Sequence, residues 1–273
     1  MMQTATIDAA GVVGHITAWL KEYAEKSGTK GFVVGISGGI DSAVTSALGA
    51  RTGLPVLCCE MPIHQNASQV TRARRHIDWL IERYPDVSRV EVDLTPVFDG
   101  LIDALPGVEI GPNESRSHDM ALVNSRARLR MTTLYYFAAA HHRLVLGTGN
   151  KVEDFGVGFY TKYGDGGVDL SPIADLVKTE VYAVAAALGI NEDIMTAPPT
   201  DGLWGDDRTD EDQIGASYPE LEWAMSFEET GGDEKGLDDR QRVVLAIYRR
   251  MHAANRHKMD PIPVCMIPDS LRH

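Results

Sequence analysis

The chain has 273 residues, 44% hydrophobic and 24% charged, with a formal net charge of −13; this length supports one large domain or two small ones, and the acidic balance excludes a broad nucleic-acid footprint. No apolar run nears the ~20 residues needed to span a bilayer, and the N-terminus lacks a basic leader. Cys58, Cys59 and Cys265 form neither a disulfide framework nor a zinc spacing, so a reduced, cytoplasmic protein with no membrane or nucleic-acid partner is expected.

Strand and helix patterns then alternate. Residues 31–37 (GFVVGIS) form a short apolar run bounded by glycine, which predicts a strand buried on both faces. A helix is predicted from Asp41 to Ala50 and a second strand from Pro55 to Met61. A polar loop leads into a helix over Ala67–Tyr84, and the alternation in Arg89–Leu94 predicts a third strand. A short helix follows Pro96, a long one covers Asp119–His141, Leu144–Gly147 reads as a fourth strand, and Lys178–Leu188 as another helix. The alternation implies an α/β fold: a doubly wound, mainly parallel sheet with helices on both faces. Ligands of such sheets bind beyond the carboxyl ends of the strands. No internal repeat or domain linker is evident, so residues 1–273 are expected to form a single domain. The acidic stretch Asp201–Asp212 reads equally as a mobile loop and as a solvated surface loop.

Two segments carry unusual chemistry. Ser37-Gly38-Gly39-Ile40-Asp41-Ser42 lies between the first strand and its helix. Its glycines let backbone approach a ligand, and N–H groups at the helix start point at an anion. Asp41 would repel a polyphosphate unless a metal ion bridges them, which makes it a magnesium-ligand candidate. The loop lacks the Gly-Lys-Ser/Thr of a Walker A motif and the GxGxxG of a dinucleotide fingerprint. The second segment is LGTGNKVEDFGVGFYTKYGDGGVDL, residues 146–170, followed by SPIADLVKTEVY. Here Glu153 could supply a carboxylate opposite Asp41, while Lys162 and Lys178 could offset phosphate charge. Asp165 and Asp169 could bind hydroxyls or manage a proton. Phe159 and Tyr160 are equally open to stacking on a ring or packing in the core.

SGGxDS after a strand resembles the pyrophosphate loop of the N-type ATP pyrophosphatases, which cleave ATP between the α and β phosphates and adenylate a substrate. The run FYTKYGDGGVDLSPIADLVKTEVY is similar to the signature of the ammonia-dependent NAD synthetases, and the likeness extends to His257-Lys258. NSRARLRM around Arg128 is similar to another stretch of that family. The resemblance implies an adenine nucleotide alpha hydrolase-like, Rossmann-like fold. It also implies ATP bound by Gly35, Ile36, Ser37, Gly38, Gly39, Ile40, Asp41, Ser42, Thr148, Lys178 and Thr200. Magnesium would be held by Asp41 and Glu153, and deamido-NAD by Arg128, Lys162, Asp169, His257 and Lys258. A homodimer with deamido-NAD near the interface is implied as well.

Two departures from the family pattern stand out. EDFGVGFY carries one extra residue, which leaves Asp154 as the alternative to Glu153. The loop Pro62-Ile63-His64-Gln65 also differs, and His64 is assigned no catalytic role.

The expected chemistry is amidation of the nicotinate carboxylate through an adenylate, giving NAD, AMP and pyrophosphate. Lys178 and magnesium would serve the leaving pyrophosphate, and Asp165 would help take a proton from ammonium. Only about 30 residues precede the first strand, too few for a glutaminase domain, so ammonia is the expected nitrogen source. The alternatives are another enzyme with the same loop and a nucleotide sensor without turnover.

Overall fold

Four parallel strands in the order β3-β2-β1-β4 form the centre of the fold, which a computed structural model describes for residues 7–65, 67–107, 115–198 and 209–272. The chain enters through α1 (Ala9–Ser27), capped by Asp8, whose carboxylate accepts from the Gly11 N–H at 3.0 Å. Val13, Ile16, Leu20 and Ala24 fall on one stripe of this helix and are buried. Then come β1 (Phe32–Gly35), α2 (Ile40–Arg51), β2 (Val56–Glu60), α3 (Ala67–Arg83) and β3 (Val87–Glu91). Next are α4 (Thr95–Ala104), α5 (Ser115–His141) and β4 (Leu144–Val145). After β4 the chain makes a π turn over Val152–Val157 and continues helically. These later helices are α6 (Lys178–Leu188), α7 (Glu192–Met195), α8 (Asp210–Ile214), α9 (Tyr218–Glu229) and α10 (Asp239–Met259).

The strand residues face two cores because successive side chains alternate across a sheet. Phe32, Val34, Val56 and Cys58 pack with α1, α2, α3 and α6 on one side. Val33, Leu57, Cys59 and Val145 pack with α4 and α5 on the other. The expected doubly wound sheet with helices on both faces is therefore present. A third apolar cluster joins the π turn to α9 and α10. Its helices lie in a region where the sequence reading placed no elements. β3 begins two residues before the expected Arg89 and ends at Glu91, where its register with Glu60 of β2 runs out. β4 is only two residues long, because the sheet contact passes at Leu146 to a single bridge with Leu170. No helix among the described residues is long and apolar enough to cross a membrane.

The order of strand addition reverses beside β1: β2 and β3 extend to one side and β4 lies on the other. This leaves a crevice at the carboxyl ends of β1 and β4, the expected ligand position in an open α/β sheet.

One buried group gives the fold a pH dependence. His76 of α3 is fully buried, stacks on Trp79 and shares a 2.8 Å hydrogen bond with Ser46 of α2. Burial pulls its imidazole down to about 4. The unfolded chain takes up a proton near pH 6.5 while the folded one resists until about 4, so stability falls as pH drops through that window. His76→Gln should flatten the loss between pH 6.5 and 4 by up to ~3 kcal/mol in urea titrations. An unchanged pH slope would show that the folded imidazole accepts its proton normally.

Candidate active site

The crevice widens into a cavity of about 270 Å³. One wall is the phosphate loop, held in shape by its own side chains. The Ser37 N–H donates to Ser42 Oγ at 3.3 Å, and the Gly39 N–H to Ser37 Oγ at 3.2 Å. Ser42 Oγ donates back to the Gly39 carbonyl at 3.0 Å. Gly38 has φ of 83°, a left-handed conformation that glycine adopts without strain. The loop ends at the start of α2, where the helix dipole favours an anion, and places Asp41 in the first turn.

Asp41 faces the amino end of α6 and the π turn across the crevice. Lys178 Nζ, in a side chain only 3% exposed, donates to Asp41 Oδ2 at 2.6 Å and to Glu153 Oε1 at 3.1 Å. Fully buried Asn150 completes the frame. Its amide donates to Asp41 Oδ1 at 3.3 Å and its carbonyl accepts from the Glu153 N–H at 3.1 Å. Burial pushes the Asp41 carboxyl up against the pull of Lys178. Burial also pulls Lys178 down, but Asp41 and Glu153 overcome it and leave the ammonium held above its ordinary range. Two hard oxygen donors thus bracket one cation, the donor type that magnesium takes together with phosphate oxygens and water. Among the described residues no group of three or more His, Cys, Asp or Glu side chains forms a metal cluster on its own.

The π turn takes in the first five residues of EDFGVGFY. Glu153 keeps its place beside Lys178, while the Asp154 carboxylate lies over Gly149, where a Cβ would meet it at 2.2 Å. Burial and three neighbouring carboxylates, Glu153, Asp165 and Asp41, push Asp154 up to about 8. Asp165 lines the same cavity and stays open to it, although protein surrounds it on its other sides. Its Oδ1 accepts from the Thr161 N–H at 2.9 Å, and burial raises its carboxyl.

The phosphate loop, Thr148, Glu153, Asp165 and Lys178 therefore share one cavity. Thr200 lies outside the described residues. Arg128, Lys162, His257 and Lys258 meet in a second group. The Arg128 guanidinium donates to the Lys162 carbonyl at 3.4 Å, and Lys162 Nζ donates to the His257 carbonyl at 2.5 Å. Lys258 Nζ donates to the carbonyls of Gly158 and Tyr160 at 2.8 and 2.7 Å, and burial lowers its ammonium. Asp169 stands apart from this group. One oxygen accepts from Tyr135 at 3.0 Å and the other from the Val145 N–H at 2.8 Å. It borders a different, larger cavity of about 920 Å³, beside Trp19, Tyr23 and Phe155, which contains none of the phosphate loop. Phe159 lines the phosphate-loop cavity, whereas Tyr160 lies under the Lys258 ammonium. His64 is half-exposed and bonded to Asp99 at 2.8 Å, consistent with a role in the loop's shape.

Among the residues at this site that escaped the sequence reading are Asn150, Asp210 and Tyr218. Asn150 was visible in the glycine-rich run after β4. Asp210 and Tyr218 come from α8 and α9, and their approach to Glu153 follows from tertiary packing alone.

The model of the family described as NAD synthase matches residues 12–261 of this chain. An NH(3)-dependent NAD(+) synthetase of Carboxydothermus hydrogenoformans is 39% identical over 242 residues, 88% of this chain and 90% of the relative. A solved NMN synthetase of Francisella tularensis superposes with a TM-score of 0.80 at 26% identity, covering 97% of this chain and 100% of that one. An NH3-dependent NAD synthetase of Campylobacter jejuni gives a TM-score of 0.75 at 25% identity, over 95% and 100% of the two chains. With a phosphate loop, a carboxylate-bracketed lysine and a match over nearly its whole length, the chain belongs to the NAD synthase family.

Proposed function

We propose that this chain, as a single synthetase domain, amidates the nicotinate carboxylate of deamido-NAD with ammonia, consuming ATP and releasing AMP and pyrophosphate. The observation that carries the reading is Lys178, fixed between Asp41 and Glu153 at the mouth of the phosphate loop. In the first step a nicotinate oxygen attacks the α-phosphorus and the bond to the bridging oxygen breaks. Negative charge then grows on the departing pyrophosphate, where Lys178 and the N–H groups of the loop counter it. A magnesium ion, when bound by Asp41 and Glu153, supplies further neutralisation of phosphate charge. In the second step nitrogen attacks the carboxyl carbon of the adenylate, the bond to AMP breaks, and Asp165 takes the proton that nitrogen loses. Arg128, Lys162, His257 and Lys258 hold the acceptor. The free protein engages the two lysine ammoniums with backbone carbonyls, so acceptor binding exchanges those bonds. Asp169, both of whose oxygens are already bonded, contributes through the loop it fixes.

The reading includes a homodimer with the acceptor near the interface, testable by sedimentation with and without deamido-NAD, and a cytoplasmic setting.

The test supplies purified protein with ATP, magnesium and deamido-NAD, with either ammonium or glutamine as nitrogen donor. NAD formed with equal AMP and pyrophosphate in ammonium alone is the expected result. A mononucleotide acceptor is the second reading, favoured by the Francisella NMN synthetase among the structural neighbours. Nicotinate mononucleotide assayed in parallel decides between them through the ratio of kcat/KM values. No product with either acceptor, from folded protein that binds ATP, would overturn both.

A further inference from the structure

Tyr218 opens α9, 65 positions from Glu153 in sequence, and is 3% exposed. Its hydroxyl donates to Glu153 Oε1 at 2.5 Å and lies 3.2 Å from Asp210 Oδ2. A phenol has one proton for these two carboxylates, and the shorter contact takes it. Lys178 Nζ stands 4.5 Å from the centre of the same ring, within cation–π range. The tyrosine backbone is fixed as well, its N–H donating to Glu211 Oε1 at 2.9 Å. Tyr218 does not line the catalytic cavity, whereas Glu153, Lys178 and Asp210 all do.

Glu153 Oε1 therefore accepts from two donors that approach from different elements, Lys178 of α6 and Tyr218 of α9. The carboxylate cannot turn without breaking both bonds. Among the described residues no donor reaches Oε2, which is left as the oxygen available to a cation.

We infer that Tyr218 is a positioning residue for the reaction: its hydroxyl pins one oxygen of Glu153 and presents the other to the nucleotide-bound metal. The inference rests on the reading of Glu153 as a metal ligand. Groups that orient a ligating carboxylate typically contribute 10–100-fold to metal affinity. Tyr218→Phe keeps the ring, its packing and its contact with Lys178, and removes only the O–H.

The experiment titrates Mn²⁺ by electron paramagnetic resonance in the presence of α,β-methylene-ATP, which the enzyme cannot cleave. Wild type, Y218F, E153Q and the double variant are compared. Y218F should bind Mn²⁺ about 10–100-fold more weakly, and the double variant should be no weaker than E153Q, because the hydroxyl acts only through that carboxylate. Turnover of Y218F should recover as metal concentration rises. Wild-type affinity in Y218F overturns the inference, and so do independent, multiplying losses in the double variant. Wild-type affinity in E153Q would instead remove Glu153 from the metal site. Should Y218F fail to fold, 3-fluorotyrosine at position 218 preserves the ring and alters O–H acidity. Mn²⁺ affinity is then expected to move at least ~2-fold, and an unmoved value overturns the inference.

Discussion

Replacing Lys178 by methionine should lower kcat about 10²–10³-fold, the usual cost of removing one donor aimed at developing charge. It should also cost the folded protein about 3–5 kcal/mol, because loss of one partner leaves buried charge uncompensated. Both effects come from the same two contacts, at 2.6 Å to Asp41 and 3.1 Å to Glu153, made by a side chain that solvent barely reaches. Methionine fills a similar volume, so packing is nearly preserved and charge is the variable that changes. Urea unfolding and steady-state assays on one preparation measure the two effects. The stability loss should shrink in a second variant, K178M with Asp41→Asn, since that pair removes one of the two stranded carboxylates. If K178M turns over normally while destabilised, the lysine belongs to the fold and some other group serves the leaving pyrophosphate.

Asp165→Asn should separate the two chemical steps. Exchange of labelled pyrophosphate into ATP, which reports adenylate formation, should stay within ~3-fold of wild type, while amidation falls about 10²–10⁴-fold, the range expected for a lost general base. Asparagine can still accept from the Thr161 N–H, so the turn that carries residue 165 keeps its anchor. Asp165 is open to the cavity, and burial raises its carboxyl above the ordinary carboxylate range. A raised carboxyl is a better proton acceptor but must be ionised to act. Amidation in the wild type should therefore decline as pH falls through that raised value, and the decline should vanish in the variant. Equal loss of exchange and amidation would place Asp165 in binding or architecture rather than proton transfer.

The part of the site carried by β1 and its loop was legible because everything it needs is local. An apolar run, two glycines, an aspartate and a helix start occupy consecutive positions, and backbone geometry converts that order directly into an anion cradle. Glu153 and Lys178 were legible from their surroundings: Glu153 sits in the glycine- and charge-rich run after β4, and Lys178 opens α6. The π turn was not legible, since a one-residue change of winding has no composition of its own. α9 had a signal that passed unused, Ser217 followed three residues later by Glu220, whose carboxylate accepts the Ser217 N–H at 2.8 Å. Even with that helix in place, nothing local would have sent the Tyr218 hydroxyl to Glu153. The separation of Lys162 and Asp169 was equally hidden. Seven positions apart in one glycine-rich stretch, they part because Lys162 reaches the His257 carbonyl while Asp169 turns back to bond the β4 backbone.

The ammonium of Lys178 gives the site a counter-ion of its own. A tethered counter-ion already sits between Asp41 and Glu153, so on the proposed reading an arriving metal–nucleotide complex would meet two carboxylates already partly neutralised rather than a cavity of bare negative charge. A free divalent ion would find less net negative charge there, while one delivered on phosphate brings its own ligands. On that reading, preference for the loaded nucleotide over loose metal would follow from the position of one covalently attached charge.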